Sequence, residues 1–414
     1  MADPVGQTLF TVVAPLRPGT QGDVRDMLAA LGYLGTEPPG GPFGFEEAAM
    51  LHFASVFLYD DPVDGWFLVF ESNIDGAVEP YLDRLLAIAA ARDGGAFLLR
   101  LYGHCRGVAA GDLPGLKRHM LDHVQHPQAA FVSAVGLTRD RIRQDAAVYR
   151  VVDETLGSGG VPLPADQAQA AVLRALEHDR ETAGVWSVAD DAGPGALEKI
   201  RTVGGLVANV IGFVVLAVVN LLRERTAPED SLRSDFDMVR TQRQYEDILP
   251  TNHMVSIVHL HTDRGRQWAK RCAFGVLRGL VTLFFRHGKL GKIETIHFAH
   301  WAILNGGRRL LFVSNFGGSW SSYLDDFTLK ASEGLTVAWA HGIGFPRSWF
   351  MVRGGAAKGP EFIDWARRSM VPTPVWYKAY PDLSAKIINR NRKLRHALAD
   401  AKAGRGTTAW LELV

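Results

Sequence analysis

Two stretches of this chain carry the same residues in the same order. From Leu51 the sequence reads LHFASVFLYDDPVDGWFLVFESNIDGAVEPYLDRLL, and from Ile296 it reads IHFAHWAILNGGRRLLFVSNFGGSWSSYLDDF. His-Phe-Ala, Phe-x-Ser-Asn-x-x-Gly and Tyr-Leu-Asp recur in both. His52 matches His297, Ser72 and Asn73 match Ser314 and Asn315, Gly76 matches Gly318, and Tyr81 and Asp83 match Tyr323 and Asp325. Further on, Gly103 and Arg106 match Gly344 and Arg347. Self-similarity of this length constrains the architecture before propensity is consulted, because each copy must be one structural unit.

Each copy reads as a β-rich run (TLFTVVAPL; MVSIVHLH), a helix-like segment, and two further strands joined by a turn. Those strands are MLHFASVFLY and WFLVFES in the first copy, and TIHFAHWAIL and RRLLFVSN in the second. The turns are DDPVDG and NGG. A helix through Tyr81 or Tyr323 follows, and a fourth strand is expected near LLRLYG or TVAWAHG, or just after the Gly-x-x-Arg. The order β-α-β-β-α-β is the ferredoxin-like unit. Such a unit leaves one sheet face bare, and two of them cover it by packing face to face. The expected fold is therefore α+β: two ferredoxin-like repeats, residues 1–156 and 249–414, forming a pseudo-twofold α/β barrel. Residues 157–248 form a helical, apolar linker.

The linker carries the longest uncharged run, TVGGLVANVIGFVVLAVVNLL from Thr202 to Leu222. Twenty helical residues span about 30 Å, the thickness of a bilayer core. A second segment, Arg264–Lys292, is rich in Lys and Arg, has no Asp or Glu, and holds large apolar groups. A basic helix of this kind is what a membrane-surface helix looks like. The alternatives are a buried core helix for the first segment and an ordinary amphipathic helix for the second. A single crossing between the repeats would put them on opposite sides of the bilayer, so a peripheral or monotopic arrangement is expected. Its membrane-contacting residues are Val207, Phe213, Leu216, Trp268, Arg271 and Phe284, and its partner is lipid.

Strand alternation puts Thr295, His297, Ala299, Trp301 and Ile303 on one face and Ile296, Phe298, His300, Ala302 and Leu304 on the other. The more apolar second set is assigned to the helices, so His297, and by the repeat His52, point between the sheets. There they serve either as acid, base or ligand, with His297 the cofactor-binding candidate, or as hydrogen-bonded core histidines. Arg106 and Arg347 are read as an anion clamp or as ion-pair partners of Asp83 and Asp325. Asn73 and Asn315 read as helix N-caps.

Charges are balanced, 45 basic against 44 acidic, which disfavours a dedicated nucleic-acid binder. Two cysteines make neither a disulfide framework nor a cysteine zinc site. The start, MADPVGQTLF, lacks a long apolar run and does not read as a secretory signal, so the expected location is the cytoplasm or the cytoplasmic side of a bacterial membrane. HExxH, Walker A, GxSxG and dinucleotide fingerprints are absent.

The second copy resembles a group of uncharacterised bacterial proteins with His-Phe-Ala-Arg-Trp, Ser-Asn-(Tyr/Phe)-x-Gly-Ser and Tyr-(Leu/Met)-Asp-Asp-Phe motifs. The match runs through His297, Phe298, Ala299, Trp301, Ser314, Asn315, Phe316, Gly318, Ser319, Tyr323, Leu324, Asp325, Asp326 and Phe327, with His300 in place of Arg. The doubled unit is also similar, at the level of fold, to the dimeric α/β-barrel superfamily of dye-decolourising peroxidases, chlorite dismutases and small monooxygenases. That similarity implies haem held by a histidine of the second unit. The peroxidases' Gly-x-x-Asp-Gly motif is met here by Ser72-Asn73-Ile74-Asp75-Gly76, without the first glycine. Two function classes follow. One is a membrane-surface oxidoreductase acting on a lipophilic small molecule, with haem or without a cofactor. The other is a non-catalytic membrane-associated protein that binds lipid or joins an assembly, a homo-oligomer included.

Overall fold

The computed structural model describes residues 6–108, 112–157, 164–182, 184–187, 196–224, 240, 242–244, 246–284, 290, 293–405 and 408–414. In the first half these form β1 (Gln7–Pro15), α1 (Gln21–Leu31), β2 (Leu34–Gly35), β3 (Leu51–Asp61), β4 (Gly65–Asp75) and α2 (Val78–Asp93). Then come α3 (Ala96–Tyr102), α4 (Leu113–Asp122), β5 (Val124–Gln125), β6 (Ala129–Val132), α5 (Arg139–Gly157) and α6 (Ala165–His178). The apolar helix α7 (Ala196–Glu224) comes next. The second half holds β7 (Thr251–His259), α8 (Arg264–Phe284), β8 (Ile296–Leu304), β9 (Arg309–Gly317), α9 (Trp320–Lys330) and α10 (Ser332–Trp339). It closes with the short pair β10 (Ser348–Trp349) and β11 (Arg353–Gly354), then α11 (Gly359–Ser369), β12 (Val375–Lys378) and α12 (Ala385–Lys402).

The fold is mixed α+β. One sheet has six strands in the order β2-β12-β3-β4-β1-β5, and another has four in the order β6-β8-β9-β7. Each sheet therefore contains a strand from the far half of the chain. The pairings correspond residue for residue. Ala129 to Val132 of β6 lie antiparallel to Trp301 to Phe298 of β8, and Val375 to Lys378 of β12 lie antiparallel to Val56 to Phe53 of β3. Leu9 pairs Asn73 as His253 pairs Asn315. A bulge falls at His52 in β3 and at His297 in β8. Ser133 N–H donates to the His297 carbonyl, and Ala379 N–H donates to that of His52.

The ladders do not close into the expected barrel. Next to β1, β5 lasts two residues before the chain turns at His126-Pro127 and re-enters the other sheet as β6. Next to β7, Met370 bridges Ser256 and Val371 N–H donates to the Val255 carbonyl before Pro372 and Pro374, which lack N–H donors, interrupt the ladder ahead of β12. The strand expected near LLRLYG and TVAWAHG is helical, as α3 and α10. The residue ranges 1–156 and 249–414 are accordingly not separable sheets, because each lends the other a strand.

Three apolar cores hold the layers. The outer face of the first sheet packs on α1 to α4 through Phe10, Val24, Leu28, Phe70, Tyr81 and Leu85. That of the second packs on α8, α9 and α11 through Phe274, Trp301, Phe312, Tyr323 and Trp365. Between the sheets lie Val13, Phe57, Tyr59, Phe67, Val69, Val255, Ile257, Ala302, Leu304, Leu311 and Val313.

Candidate functional site

The inner face is settled by these contacts, and it corrects the sequence reading. Phe298, His300, Ala302 and Leu304 face the other sheet, whereas Trp301 packs against Phe312 and Trp339 under the helices. The bulge at His297 removes that residue from the simple alternation, so counting by twos from it gives the wrong face. The repeated histidines do come together. The His52 ring sits 5.3 Å from Phe298, the His297 ring 5.4 Å from Phe53, and both face Tyr380, at 5.9 and 6.2 Å.

Their environments differ, however. His52 Nε2 lies 3.0 Å from Asp75 Oδ1 and its Nδ1 lies 3.0 Å from the Tyr380 hydroxyl. An ionised carboxylate can only accept, so Nε2–H donates to Asp75, and Nδ1 shares the remaining bond with the Tyr380 hydroxyl. Asp75 also accepts from the Arg139 backbone N–H. His52 is thus a satisfied core histidine. His297 is 2% exposed, and its Nε2 has no hydrogen-bond partner. Burial, then the Lys378 charge, then His52, hold its pKa down at about 3, so it is neutral.

Above the apolar inner core, towards the His52 and His297 end, the inner rows turn polar, and here the two halves stop matching. Across β12, β3, β4 and β1 run Lys378, Phe53, Asn73 and Leu9, and the corresponding row of the other sheet is Val132, Phe298, Asn315 and His253. The next rows are Trp376, Ser55, Glu71 and Thr11 against Ala130, His300, Val313 and Val255. Asn73 and Asn315, expected as helix caps, are strand residues. Ser319 caps α9 instead, and Ala77, without a side-chain bond, precedes α2.

Asn315 Oδ1 accepts from Trp376 Nε1 at 3.1 Å and from His253 Nδ1 at 2.9 Å, and the His253 ring stacks on the indole. That leaves Asn315 Nδ2 as an unused donor and His253 Nε2 as an unused acceptor. Glu71 is fully buried, and its carboxyl accepts from Ser55 and Asn73. Burial raises its pKa to about 8, against the lowering effect of those two bonds. His300, with Nε2 3.3 Å from Thr11 Oγ1, is lowered to about 3, first by burial and then by His253. Glu71 and His300 approach to 3.9 Å, too far for a hydrogen bond, so both are neutral at pH 7 rather than an ion pair. Lys378 is 1% exposed, and burial lowers its pKa to about 8 against the raising effect of Asp382. Glu71, Trp376 and Lys378 were not singled out from the sequence, and His253 and His300 were not assigned to a site. The usable signal was their failure to recur in the other copy.

Arg106 and Arg347 do not join this site. Arg106 is exposed, and its Nε donates to the Leu16 carbonyl, near the turn into β4. The register of β3 places that end about 30 Å from His52. Arg347 is exposed before the β10–β11 hairpin. The two arginines are not equivalent. The Arg106 backbone N–H donates to Pro15 O in the first half, and Ile343 N–H donates to His259 O in the second, so the counterpart of Arg106 is Ile343. Asp83 pairs with Lys117 at 2.7 Å, not with Arg106. The residues do not fit haem either. A porphyrin needs an open slot beside its axial nitrogen, whereas His297 is 2% exposed and its ring is packed against Phe53 and Tyr380.

A second feature lies on the outside. Helix α7 packs along α8, where Cys272 would meet a Cβ at Gly212 at 2.9 Å, Leu206 one at Gly279 at 3.1 Å, and Asn209 would clash with one at Gly275. Phe213 and Ala217 face inward, and Leu216 is half-buried. The opposite stripe is bare: Ile200, Val203, Val207, Val210, Ile211, Val214, Val215 and Val218 are 40–69% exposed. Lys199–Val218 is long and apolar enough to cross a membrane by length and composition. On α8, Arg264, Trp268, Arg271 and Arg278 form an exposed stripe, with the Arg271 guanidinium 5.2 Å from the Trp268 ring. Phe284 ends that helix, and its side chain lies outside the described residues. Met351 of the β10–β11 turn packs with Phe213 and Ala217, which brings exposed Trp349 and Phe350 beside α7.

No family model, curated protein or solved structure matches this chain.

Proposed function

We propose that this is a membrane-surface protein that docks on anionic lipid through α7, the exposed stripe of α8 and the Trp349–Phe350 turn. The observation that carries the reading is the bare stripe of eight β-branched aliphatics on α7. Single exposed apolar residues are ordinary, but a contiguous stripe of this length marks an interaction surface. Each side chain is about half exposed, so immersing it in lipid contributes about 1 kcal/mol, taking half of what full burial gives. The arginines of α8, together with exposed Arg347 and Arg353 flanking the aromatic turn, supply a basic rim worth about 1 kcal/mol per residue near an anionic surface. Trp268 and Trp349 are of the type that settles at the headgroup level. In this reading α7 lies in the plane of the interface, because its other face is committed to α8.

The body of the protein is read as two ferredoxin-like units about a pseudo-twofold, each lending its last strand to the other. Of the two function classes, lipid docking without redox chemistry is favoured, because the enclosed His297 leaves no room for haem. The cytoplasmic face of a bacterial membrane is the location that suits an anionic surface.

Vesicle flotation tests this. The full chain should float with phosphatidylglycerol-containing vesicles, less so as salt rises, and Val207→Glu/Val214→Glu should bind at least tenfold more weakly while melting at the same temperature. A chain that stays at the bottom of the gradient without detergent refutes the proposal. So does a mass that doubles through the same stripe in the absence of vesicles while lipid binding is nil, which would assign the stripe to a second copy.

A further inference from the structure

The polar half of the intersheet space contains more hydrogen-bonding groups than it satisfies. Lys378 Nζ, Asn315 Nδ2, Asn73 Oδ1, His253 Nε2 and His297 Nε2 are all buried atoms without a partner. Buried polar atoms are nearly always paired, and an unpaired buried charge is costlier still. Five such atoms within one stretch of an interior indicate that something polar belongs there.

They share one neighbourhood. Lys378 lies two residues beyond Trp376 on β12 and so shares its inward face. Its Nζ is 6.0 Å from the indole centroid, and the same indole donates to Asn315 and stacks on His253. Lys378 also pairs across the sheet with Phe53, whose ring touches His297. Among the described residues Lys378 makes no ion pair, and the carboxylate acting on it belongs to exposed Asp382. Symmetry isolates the same residues. The position matching Lys378 is Val132, that matching Trp376 is Ala130, and that matching His253 is Leu9. A lysine that only filled space would be replaceable by the valine that fills the equivalent space. Two of these residues, His253 and Trp376, also line a narrow pocket of about 20 Å³, room for one water, together with Gln242, Glu246 and Thr373.

We infer that the space between the sheets is a binding site for a small carboxylate, one oxygen taken by Lys378 Nζ and the other by Asn315 Nδ2, with entry past His253 and Trp376. A buried cation and a buried amide donor that both lack a partner match an oxyanion, and an ammonium binds it as a point charge. The Cys, His, Asp and Glu side chains described here form no cluster suited to a metal ion. Neutral His297 and His253 complete the shell without adding charge.

Calorimetric titration and thermal melting of the full chain in solution, without lipid, test the site with sodium formate and sodium acetate. Each replaces sodium gluconate, too bulky for the interior, mole for mole. Wild type should give a saturable one-to-one heat and a melting temperature that rises with the small anion. Lys378→Met, which removes the buried charge and keeps the methylene chain, should lose at least tenfold in affinity. Labelled formate bound to wild type should also give its own carbon-13 resonance, a readout independent of any variant. Absence of saturable binding for both anions, or equal binding by Lys378→Met, overturns the assignment and leaves the orphaned atoms to water.

Discussion

Glu71→Gln isolates a buried proton. Glu71 has no exposed surface, and burial raises its pKa to about 8 while an unfolded glutamate titrates near its ordinary value of 4.5. Between those values the folded chain keeps a proton that the unfolded chain gives up, so stability falls as pH rises. At 1.36 kcal/mol per unit, the cost is about 1 kcal/mol at pH 5, about 3 at pH 7 and about 4 at pH 8. Glutamine preserves the shape, can accept from Asn73 at its one oxygen while its amide N–H donates to the Ser55 hydroxyl, and has no proton to lose. Urea unfolding of wild type and variant across pH 5–8 should show Glu71→Gln more stable by a margin that widens by roughly 1 kcal/mol per pH unit. His300 works in the opposite direction: lowered to about 3, it costs stability as pH falls below 6.5, in both proteins alike. A Glu71–His300 ion pair would invert the result, since glutamine would then strand a charged imidazole and be destabilising at pH 7. A gap that is constant or narrows with pH refutes the neutral pair.

The two halves also supply internal controls. Tyr323 donates to Ser314 at 2.6 Å, but the matching Tyr81 and Ser72 oxygens are 3.5 Å apart. Tyr323→Phe should therefore cost about 1 kcal/mol in chemical unfolding, and Tyr81→Phe less than half of that. On the outside, Gly275→Leu forces a side chain into Asn209 of α7 and should lower stability by about 1–3 kcal/mol. Gly204→Leu, on open surface of the same helix, sets the baseline and should leave the melting temperature within a few degrees.

The strands, the turns and the matching of His52 with His297, Asn73 with Asn315 and Asp83 with Asp325 were legible because periodicity and repetition are local properties of the sequence. His52 and His297 are the second residues of β3 and β8, and Asp83 and Asp325 the sixth residues of α2 and α9. What was not legible depended on backbone detail. One bulge at His297 reversed the inward face of β8, and with it the roles of His300 and Trp301. The exchange of β6 and β12 is a long-range pairing that four-residue strands cannot announce, and the Gly-x-x-Arg match was a coincidence that the hydrogen bonds to Pro15 and His259 replace with Arg106 and Ile343.

The repeat also directed attention away from the positions at which the two halves differ. Positions that recur in both halves with the same surroundings, such as Phe53 with Phe298, do the same structural work twice. A single ligand between two matching halves cannot be met identically from both sides unless it is itself symmetric, so its contacts come from positions where the halves diverge in residue, as at Lys378, or in bonding, as at Asn315 and Asn73. Lys378, His253, Glu71, His300 and Trp376 are such positions, and they lie together. The outer stripe of α7 is asymmetric in a stronger sense, since it belongs to neither copy. Sheet β6-β8-β9-β7 and helix α8 stand between that stripe and the polar interior, at least one layer of about 10 Å for each. Lipid at the stripe therefore has no short path to Lys378. If α7 docks on lipid and the interior binds a carboxylate, as proposed above, the two sites act independently, the first at the membrane surface and the second from water past His253 and Trp376. Disabling one should leave the other intact: Val207→Glu/Val214→Glu should bind formate as wild type does, and Lys378→Met should float with vesicles as wild type does. If either substitution removed both properties, the separation argued here would be wrong.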